Sequence, residues 1–173
     1  MEEIEIKILE IDKEEIIKKL IGLGANKIAQ EKQKSYFFDF PDCRLKKEKR
    51  SLRLRSFGDK KFITSKKAIS SDGAKIEDEL EIDVSSIEET ERIFLALGLE
   101  KKDTVKCTRT KYKSEDALFE IDEYPGVPCF MEIEAASKEI IKDWVEKLEI
   151  DKSKIKAWGG RELFAHYGIE VYS

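Results

Sequence analysis

Residues 2–11 read EEIEIKILEI, and charged and apolar side chains alternate through most of this run. A period of two is typical of a β-strand, because successive side chains of a strand point to opposite faces. The isoleucines therefore share one face of the predicted strand, and the charged side chains Glu3, Glu5 and Lys7 share the other. Such a strand needs an apolar environment on one side and an environment that accommodates ions on the other.

The same alternation recurs further along the chain, and there each polar face carries mostly one sign of charge. An exposed sheet face normally mixes Ser, Thr, Lys and Glu, because it only has to meet water. The sorted faces are Arg53 with Arg55; Glu77 with Glu79, Glu81 and Asp83; Glu120 with Asp122; and Glu132 with Glu134. If these faces point into a barrel, its interior holds acidic and basic clusters side by side, and its apolar faces lie outside.

Periodicity and turn residues predict eight strands and four helices. The predicted strands span residues 2–11, 25–40, 51–57, 61–68, 74–84, 99–113, 117–123 and 129–135. The predicted helices span residues 13–24, 85–98, 137–148 and 161–167, and residues 42–49 are predicted to be a charged turn. Because most strands follow one another in hairpins, we expect an α+β fold: an eight-stranded antiparallel β-barrel, or tunnel, with a charged lumen and helices packed outside. A chain of 173 residues is expected to form a single domain, residues 1–173.

The overall charge argues against nucleic acid as a partner. The chain has 33 Lys and Arg against 37 Asp and Glu, for a net charge of -4. Proteins that bind nucleic acid carry a basic excess instead. No apolar run approaches the length that spans a membrane, and the first residues lack the apolar core of a signal peptide. We therefore expect a cytoplasmic protein with neither a nucleic-acid nor a membrane partner.

The cysteines do not indicate a structural role. Cys43, Cys107 and Cys129 are odd in number and show no C-x-x-C spacing. A disulfide framework and a zinc site are both disfavoured by this spacing.

Charged side chains that face a barrel interior are costly unless they pair, stay hydrated or bind a ligand. Carboxylates in close pairs are oxygen ligands for Mg²⁺ or Mn²⁺, and several Arg and Lys groups together neutralise a polyphosphate. The pattern therefore indicates a site for a polyphosphate and a divalent metal. The alternative is that these faces form the solvent-exposed side of a highly charged sheet, and alternation alone favours neither interpretation.

The run Glu3-Ile4-Glu5-Ile6-Lys7 resembles the E-x-E-x-K signature of the CYTH superfamily, the triphosphate tunnel metalloenzymes that include class IV adenylyl cyclases and thiamine triphosphatases. Later segments resemble further family motifs in the family's order. They are Arg53-Leu54-Arg55, Thr64-Ser65-Lys66, Glu77 with Glu79, Arg109, Phe119-Glu120-Ile121-Asp122 and Glu132-Ile133-Glu134. The resemblance covers residues 2–135.

This resemblance implies a tunnel in which carboxylates bind the metal ions and cationic side chains bind a triphosphate. The implied metal ligands are Glu3, Glu5, Glu79, Asp122, Glu132 and Glu134. The implied phosphate-binding residues are Lys7, Arg53, Arg55, Lys66, Lys75, Arg109 and Lys111. The implied catalytic residues are Glu5, Lys7 and Glu134, with Mg²⁺ or Mn²⁺ as the cofactor.

The chain departs from the family pattern at two places. Cys107 stands where many members have a lysine, so a basic contact is missing or comes from a neighbour. Lys111 shares a face with Cys107, whereas Lys106 faces away unless the strand bulges. Ser35 and Phe37 replace an Asp and a Tyr that are usual in the family's second strand.

The predicted function is that of a metal-dependent phosphohydrolase, a triphosphatase, whose partner is a small molecule that bears a triphosphate. A class IV adenylyl cyclase is the first alternative, since it needs nearly the same residues and differs in the attacking group. A non-catalytic module that binds polyphosphate or nucleotide is the second. The sequence is also compatible with a homodimer, and Arg161, at the start of the last predicted helix, is placed to close one tunnel mouth.

Overall fold

The computed structural model describes residues 2–70 and 73–172, with side chains from Ile4 onward. The strands are β1 (Glu2–Ile8), β2 (Asn26–Asp39), β3 (Arg50–Phe57), β4 (Lys60–Ser70), β5 (Lys75–Asp83), β6 (Glu100–Lys113), β7 (Ala117–Glu123), β8 (Phe130–Ala135) and β9 (Ile155–Lys156). The helices are α1 (Lys13–Gly22), α2 (Arg44–Lys47), α3 (Ile87–Ala96), α4 (Lys138–Lys147) and α5 (Gly160–His166).

The strands form one antiparallel sheet that closes into a barrel of eight strands. The order around the barrel is β5-β4-β3-β2-β6-β7-β8-β1, and β1 pairs with β5 to complete the circle. Residues 2–5 of β1 pair with β5, and residues 4–8 pair with β8, so β1 is the strand that closes the barrel. The short β9 adds to the end of β1. The predicted α+β barrel with outer helices is therefore confirmed.

The apolar faces of the strands point outward, and most of this surface is buried beneath the helices, although Leu80 and Ile82 on β5 stay exposed. On one side α1 and α4 cover β1, β7 and β8. The fully buried residues there include Ile8, Leu20, Phe119, Ile121, Met131, Ile133 and Leu148. On the other side α3 packs Ile87 and Phe94 against Phe38 and Leu54. The hydrophobic core of this protein therefore lies outside the barrel wall. Burial of each such side chain stabilises the fold by about 1.5–3 kcal/mol.

The three longer helices begin at residues that cap them. The side chains of Asp12, Ser86 and Ser137 each accept a hydrogen bond from the backbone N–H three residues later, at 3.0, 3.2 and 3.3 Å. These bonds satisfy donors that the first turn of a helix leaves unpaired. Among the described residues, no helix has the length and apolarity needed to cross a membrane.

The structure differs from the predicted elements at three places. The charged turn at residues 42–49 contains α2, because the Asp39 carboxylate accepts hydrogen bonds from the backbone N–H groups of Leu45 and Lys46, both at 3.0 Å. The first strand ends at Ile8, and β9 was not predicted. The predicted hairpin residues 71–72 lie outside the described part of the chain.

Candidate functional site

The charged faces of the strands point into the barrel and line a cavity of about 690 Å³. The predicted site residues that line it are Glu5, Lys7, Arg53, Arg55, Lys66, Lys75, Glu79, Arg109, Lys111, Glu132 and Glu134. Asp122 lies beneath this lining and is fully buried. The interpretation of these faces as the exposed side of a sheet is therefore wrong.

Strand register brings opposite charges together inside the barrel. Residues that face each other across antiparallel strands have Cβ atoms about 4.5–5.5 Å apart. The facing pairs are Glu5 with Lys75, Lys7 with Glu132, Lys66 with Glu79, Arg109 with Asp122 and Lys111 with Glu120. Oppositely charged residues that both face the lumen and lie opposite each other on neighbouring strands therefore form ion pairs.

A lysine and glutamate cluster occupies the middle of the lumen. Lys7 Nζ lies 3.1 Å from Glu5 Oε1 and 2.7 Å from Glu132 Oε1. Lys75 Nζ lies 3.2 Å from the same Glu5 oxygen and 2.7 Å from Glu77 Oε2. Burial would raise the pKa of Glu5, but the charges of Lys7 and Lys75 outweigh it and hold this pKa well below its usual value. Glu5 is therefore ionised at neutral pH.

Arg109 is held by three carboxylates. Its Nε donates to Asp122 Oδ1 at 2.6 Å, and its Nη2 donates to Asp122 and, at 3.1 Å, to Glu132. Its Nη1 donates to Glu120. A guanidinium has five N–H donors, so little of the hydrogen-bonding capacity of Arg109 is left for a ligand.

Arg53 and Arg55 have donors to spare. Arg55 donates from Nη2 to Glu81 at 3.0 Å, but the buried Nε atoms of Arg53 and Arg55 have no hydrogen-bond partner among the described residues. Burial, reinforced by the charges of Arg53 and Arg109, lowers the pKa of Arg55 to about 10. Arg55 stays protonated at neutral pH, and an anion beside it would stabilise the charged form. This part of the lumen is therefore suited to a negatively charged ligand.

The carboxylates of the lumen fit a metal that is shared with a bound phosphate. No three Asp, Glu, His or Cys side chains among the described residues form a metal-binding group on their own. Mg²⁺, however, is usually bound by one or two carboxylates together with water and substrate phosphates. Glu5 and Glu134 face each other across β1 and β8 and both line the cavity, so they can supply such a pair. The side chain of Glu3, a further predicted ligand, lies outside the described residues.

Sequence reasoning identified most of the lumen and missed part of it. Lys111 lies in the lumen and Lys106 is exposed, as the parity of β6 predicts. Glu81 and Glu120, which were not assigned a role in the site, line the cavity as partners of Arg55 and Lys111. Their alternation with apolar neighbours was the signal that could have identified them.

Comparison with known proteins places this fold in a family. Residues 1–157 match the model of the CYTH domain. A protein of Methanocaldococcus jannaschii named "Putative adenylate cyclase MJ0240" is 30% identical over 156 residues, which make up 88% of this chain and 89% of that protein. The solved structure of the PH1012 protein of Pyrococcus horikoshii matches with 27% identity and a TM-score of 0.80, covering 93% of this chain and 98% of that one.

A further structure with the same fold comes from Hippeastrum and is described as a "Putative adenylyl cyclase" with a dominant triphosphatase activity. It matches with 16% identity and a TM-score of 0.69, and covers 99% of this chain and 97% of that one. The CYTH model matches nearly the whole of this chain, and the motifs that it shares with the family lie around one charged tunnel. The chain therefore belongs to the CYTH family, which includes triphosphatases and adenylyl cyclase-like enzymes.

Proposed function

We propose that this protein is a Mg²⁺- or Mn²⁺-dependent triphosphatase that binds a triphosphate inside the tunnel. The observation that carries the proposal is the pair of lumen arginines, half-buried Arg53 and buried Arg55, whose buried Nε donors are unused among the described residues and whose charges repel each other. Bound phosphate would satisfy both donors and remove the repulsion. A neutral ligand could accept hydrogen bonds from these donors but would not offset the repulsion.

The remaining cations divide into two groups by their pairing. Lys7 donates to Glu5 and Glu132, so one of its three ammonium protons is left for a ligand. Lys75 lies on β5, which pairs with β1, and Lys66 lies on the next strand, β4; both are ion-paired with Glu77. We propose that Arg53 and Arg55 make the main phosphate contacts, and that the lysines turn toward phosphate when the carboxylates take up metal.

When bound, Mg²⁺ or Mn²⁺ would neutralise phosphoryl oxygens beside Glu5 and Glu134. In hydrolysis a water oxygen forms a bond to the terminal phosphorus, and the bridging P–O bond to the leaving diphosphate breaks. Glu134 lies opposite Glu5 in the strand register, and in this proposal it orients the water and accepts its proton. Arg53 and Arg55 stabilise the charge that develops on the phosphoryl oxygens.

Adenylyl cyclase activity is the second candidate. It is favoured by the 30% identical relative named "Putative adenylate cyclase", which this chain matches over 88% of its length. In that reaction the ribose 3′-oxygen of ATP attacks the α-phosphorus, and pyrophosphate leaves. The same arginines would bind the phosphates, so the products distinguish the two activities.

Product analysis tests the proposal. The purified protein is incubated with Mg²⁺ or Mn²⁺ and either tripolyphosphate or ATP, and the products are separated. Orthophosphate released from tripolyphosphate supports the triphosphatase, and cyclic AMP with pyrophosphate from ATP supports the cyclase. Binding of tripolyphosphate and ATP without turnover of either compound at any metal concentration would overturn both enzyme assignments and leave a binding module.

A matched pair of variants then ties turnover to the lumen. Glu134→Gln removes a proposed metal ligand and proton acceptor without changing side-chain size, and we expect kcat to fall at least about a hundredfold. Glu146→Gln makes the same change on the exposed face of α4 and is expected to leave kcat unaltered. Equal kcat values in the two variants would exclude Glu134 from the chemistry.

A further inference from the structure

The chain continues beyond the part that matches the family model, and this continuation covers one end of the tunnel. The family match ends at residue 157, whereas residues 159–164 also line the cavity. Leu163 and Phe164 anchor α5 in a buried cluster with Leu9 and Phe130. The segment after Lys156 is therefore part of the wall of the site.

The end of the same segment is tied to the opposite side of the tunnel mouth. Tyr172 donates its backbone N–H to Asp103 Oδ2 at 2.8 Å, and its hydroxyl donates to Asp39. Lys46 Nζ lies 4.9 Å from the centre of the Tyr172 ring. These contacts fix the C-terminal segment against α2, β2 and β6.

Four cationic side chains surround this mouth. Lys46, Lys49, Arg50 and Arg161 all line the cavity. Lys46, Arg50 and Arg161 also line a small adjoining cavity with Tyr172, so α2, β3 and α5 bring these charges together. Arg53 of β3 lines the same cavity as these four cations, so they share one cavity with the proposed phosphate site.

Little in the described part of the chain neutralises these charges. The one ion pair found for the four cations joins Arg50 Nε to Glu48 at 3.6 Å, and both partners are largely exposed, so it contributes little. The nearby carboxylates already have partners. Asp39 accepts hydrogen bonds from three backbone N–H groups and from Tyr172, and Glu162 accepts one from the Gly159 N–H at 3.0 Å.

We propose that Lys46, Lys49, Arg50 and Arg161 form a second anion subsite, which binds the phosphates of a linear polyphosphate beyond the third. This inference rests on the proposed function, because it places the first three phosphates at Arg53 and Arg55. The substrate class is then an inorganic polyphosphate of four or more units. Lys49, Arg50 and Arg161 are exposed and Lys46 is half-buried, so a polyphosphate can reach all four, whereas an uncharged base or sugar would form no ion pair with them.

Chain-length dependence of binding tests the subsite. Binding of tripolyphosphate and of tetrapolyphosphate is measured by calorimetry in Mg²⁺, for the unaltered protein and for the double variant Arg50→Gln/Arg161→Gln. We expect the unaltered protein to bind tetrapolyphosphate about tenfold more tightly than tripolyphosphate, as one additional charge-assisted contact would give. The double variant is expected to lose this preference.

A control and the turnover assay separate the two proposals. Lys101→Gln/Lys106→Gln removes two exposed charges on the outside of β6 and is expected to keep the tenfold preference. Equal affinity of the unaltered protein for the two chain lengths, or an unchanged preference in the double variant, would overturn the subsite. Chain-length preference without hydrolysis of either compound would instead support the subsite and refute the triphosphatase.

Discussion

Arg109 on β6 and Arg53 on β3 both lie in the lumen, but their surroundings differ. Arg109 contacts Asp122, Glu120 and Glu132, and its side chain is 9% exposed. Arg53 has no ion pair among the described residues. The first arginine therefore neutralises buried carboxylates, and the second is available to a ligand, although the sequence offers both as equivalent phosphate contacts.

Substitution by methionine should distinguish these two roles. Arg109→Met leaves three carboxylates without their cation in a buried place, and we expect a loss of about 3–5 kcal/mol in the free energy of unfolding. Arg53→Met should change this free energy by less than about 1 kcal/mol and should weaken tripolyphosphate binding. Urea denaturation and calorimetry measure the two quantities. Equal destabilisation by both substitutions would contradict the division of roles.

Two neighbouring carboxyl groups respond to pH in opposite senses. Burial raises the pKa of Asp122 to about 6, so its ionised form costs stability above that pH, and the cost disappears below about pH 4. Burial also opposes ionisation of Glu120, but Arg109 and Lys111 outweigh it and lower this pKa to about 2. The stability that Glu120 contributes is complete above pH 4.5 and is lost as the pH falls toward 2.

Asp122→Asn and Glu120→Gln isolate these two effects. As the pH falls from 7 to 4, the unaltered protein should gain unfolding free energy relative to Asp122→Asn. Between pH 4.5 and 2 it should lose its advantage over Glu120→Gln. Urea denaturation at each pH provides the measurement. A difference that does not vary with pH would show that the carboxyl in question titrates normally.

At the scale of elements, the outer helices are fixed by their caps and by a few buried side chains. Ser86 accepts the Glu89 N–H at 3.2 Å and starts α3, whose Ile87 and Phe94 are buried against the barrel. Because α3 contributes no residue to the lining of the cavity, its start should affect stability and not the site.

Ser86→Ala tests this separation. Loss of the cap should lower the free energy of unfolding by about 1 kcal/mol, because an N–H of the first turn loses its acceptor. The exposed neighbour Ser85 gives the matched control, and Ser85→Ala should change stability by less than about 0.5 kcal/mol. Affinity for tripolyphosphate should be the same in both variants, and a selective loss in Ser86→Ala would mean that α3 acts on the site.

At the scale of the whole molecule, a barrel with an ionic interior must obtain its stability from its outside. The lumen holds charged side chains, many of them ion-paired, whereas Phe119, Ile121, Met131 and Ile133 are fully buried between the wall and the helices α1 and α4. Such an arrangement lets the lumen keep unpaired cations for a ligand, since the hydrophobic core does not depend on them.

Large-to-small substitutions at two apolar positions should therefore differ sharply in how much they lower the free energy of unfolding. Phe119, with no exposed area, packs edge-on against Trp144 at 4.8 Å between ring centres. Phe119→Ala should cost about 3–5 kcal/mol. Leu80 is 68% exposed on β5, and Leu80→Ala should cost no more than about 0.5 kcal/mol. Thermal and urea unfolding measure both, and similar costs would contradict an outer core.

The sequence by itself determined the strands, their two faces and the family. Alternation in residues 2–11 and its recurrence with charges sorted by sign are local properties, because the side-chain period of a strand does not depend on its partners. Helix starts such as Asp12 could be predicted for the same reason, since a cap acts within four residues. The alternation of side chains along a strand was enough to predict that Lys111 and Glu132 point into the lumen.

Only the tertiary structure decided which charged side chains are available to bind a ligand. Arg53 and Arg109 have the same residue type and the same facing, and they differ because strand register places Asp122 opposite one and Thr64 opposite the other. The helix α2 depends on the Asp39 carboxylate, and the cationic mouth needs Arg161 to meet Arg50 across more than one hundred residues of sequence. Pairing between distant segments arises from barrel closure, and no local pattern carries that information.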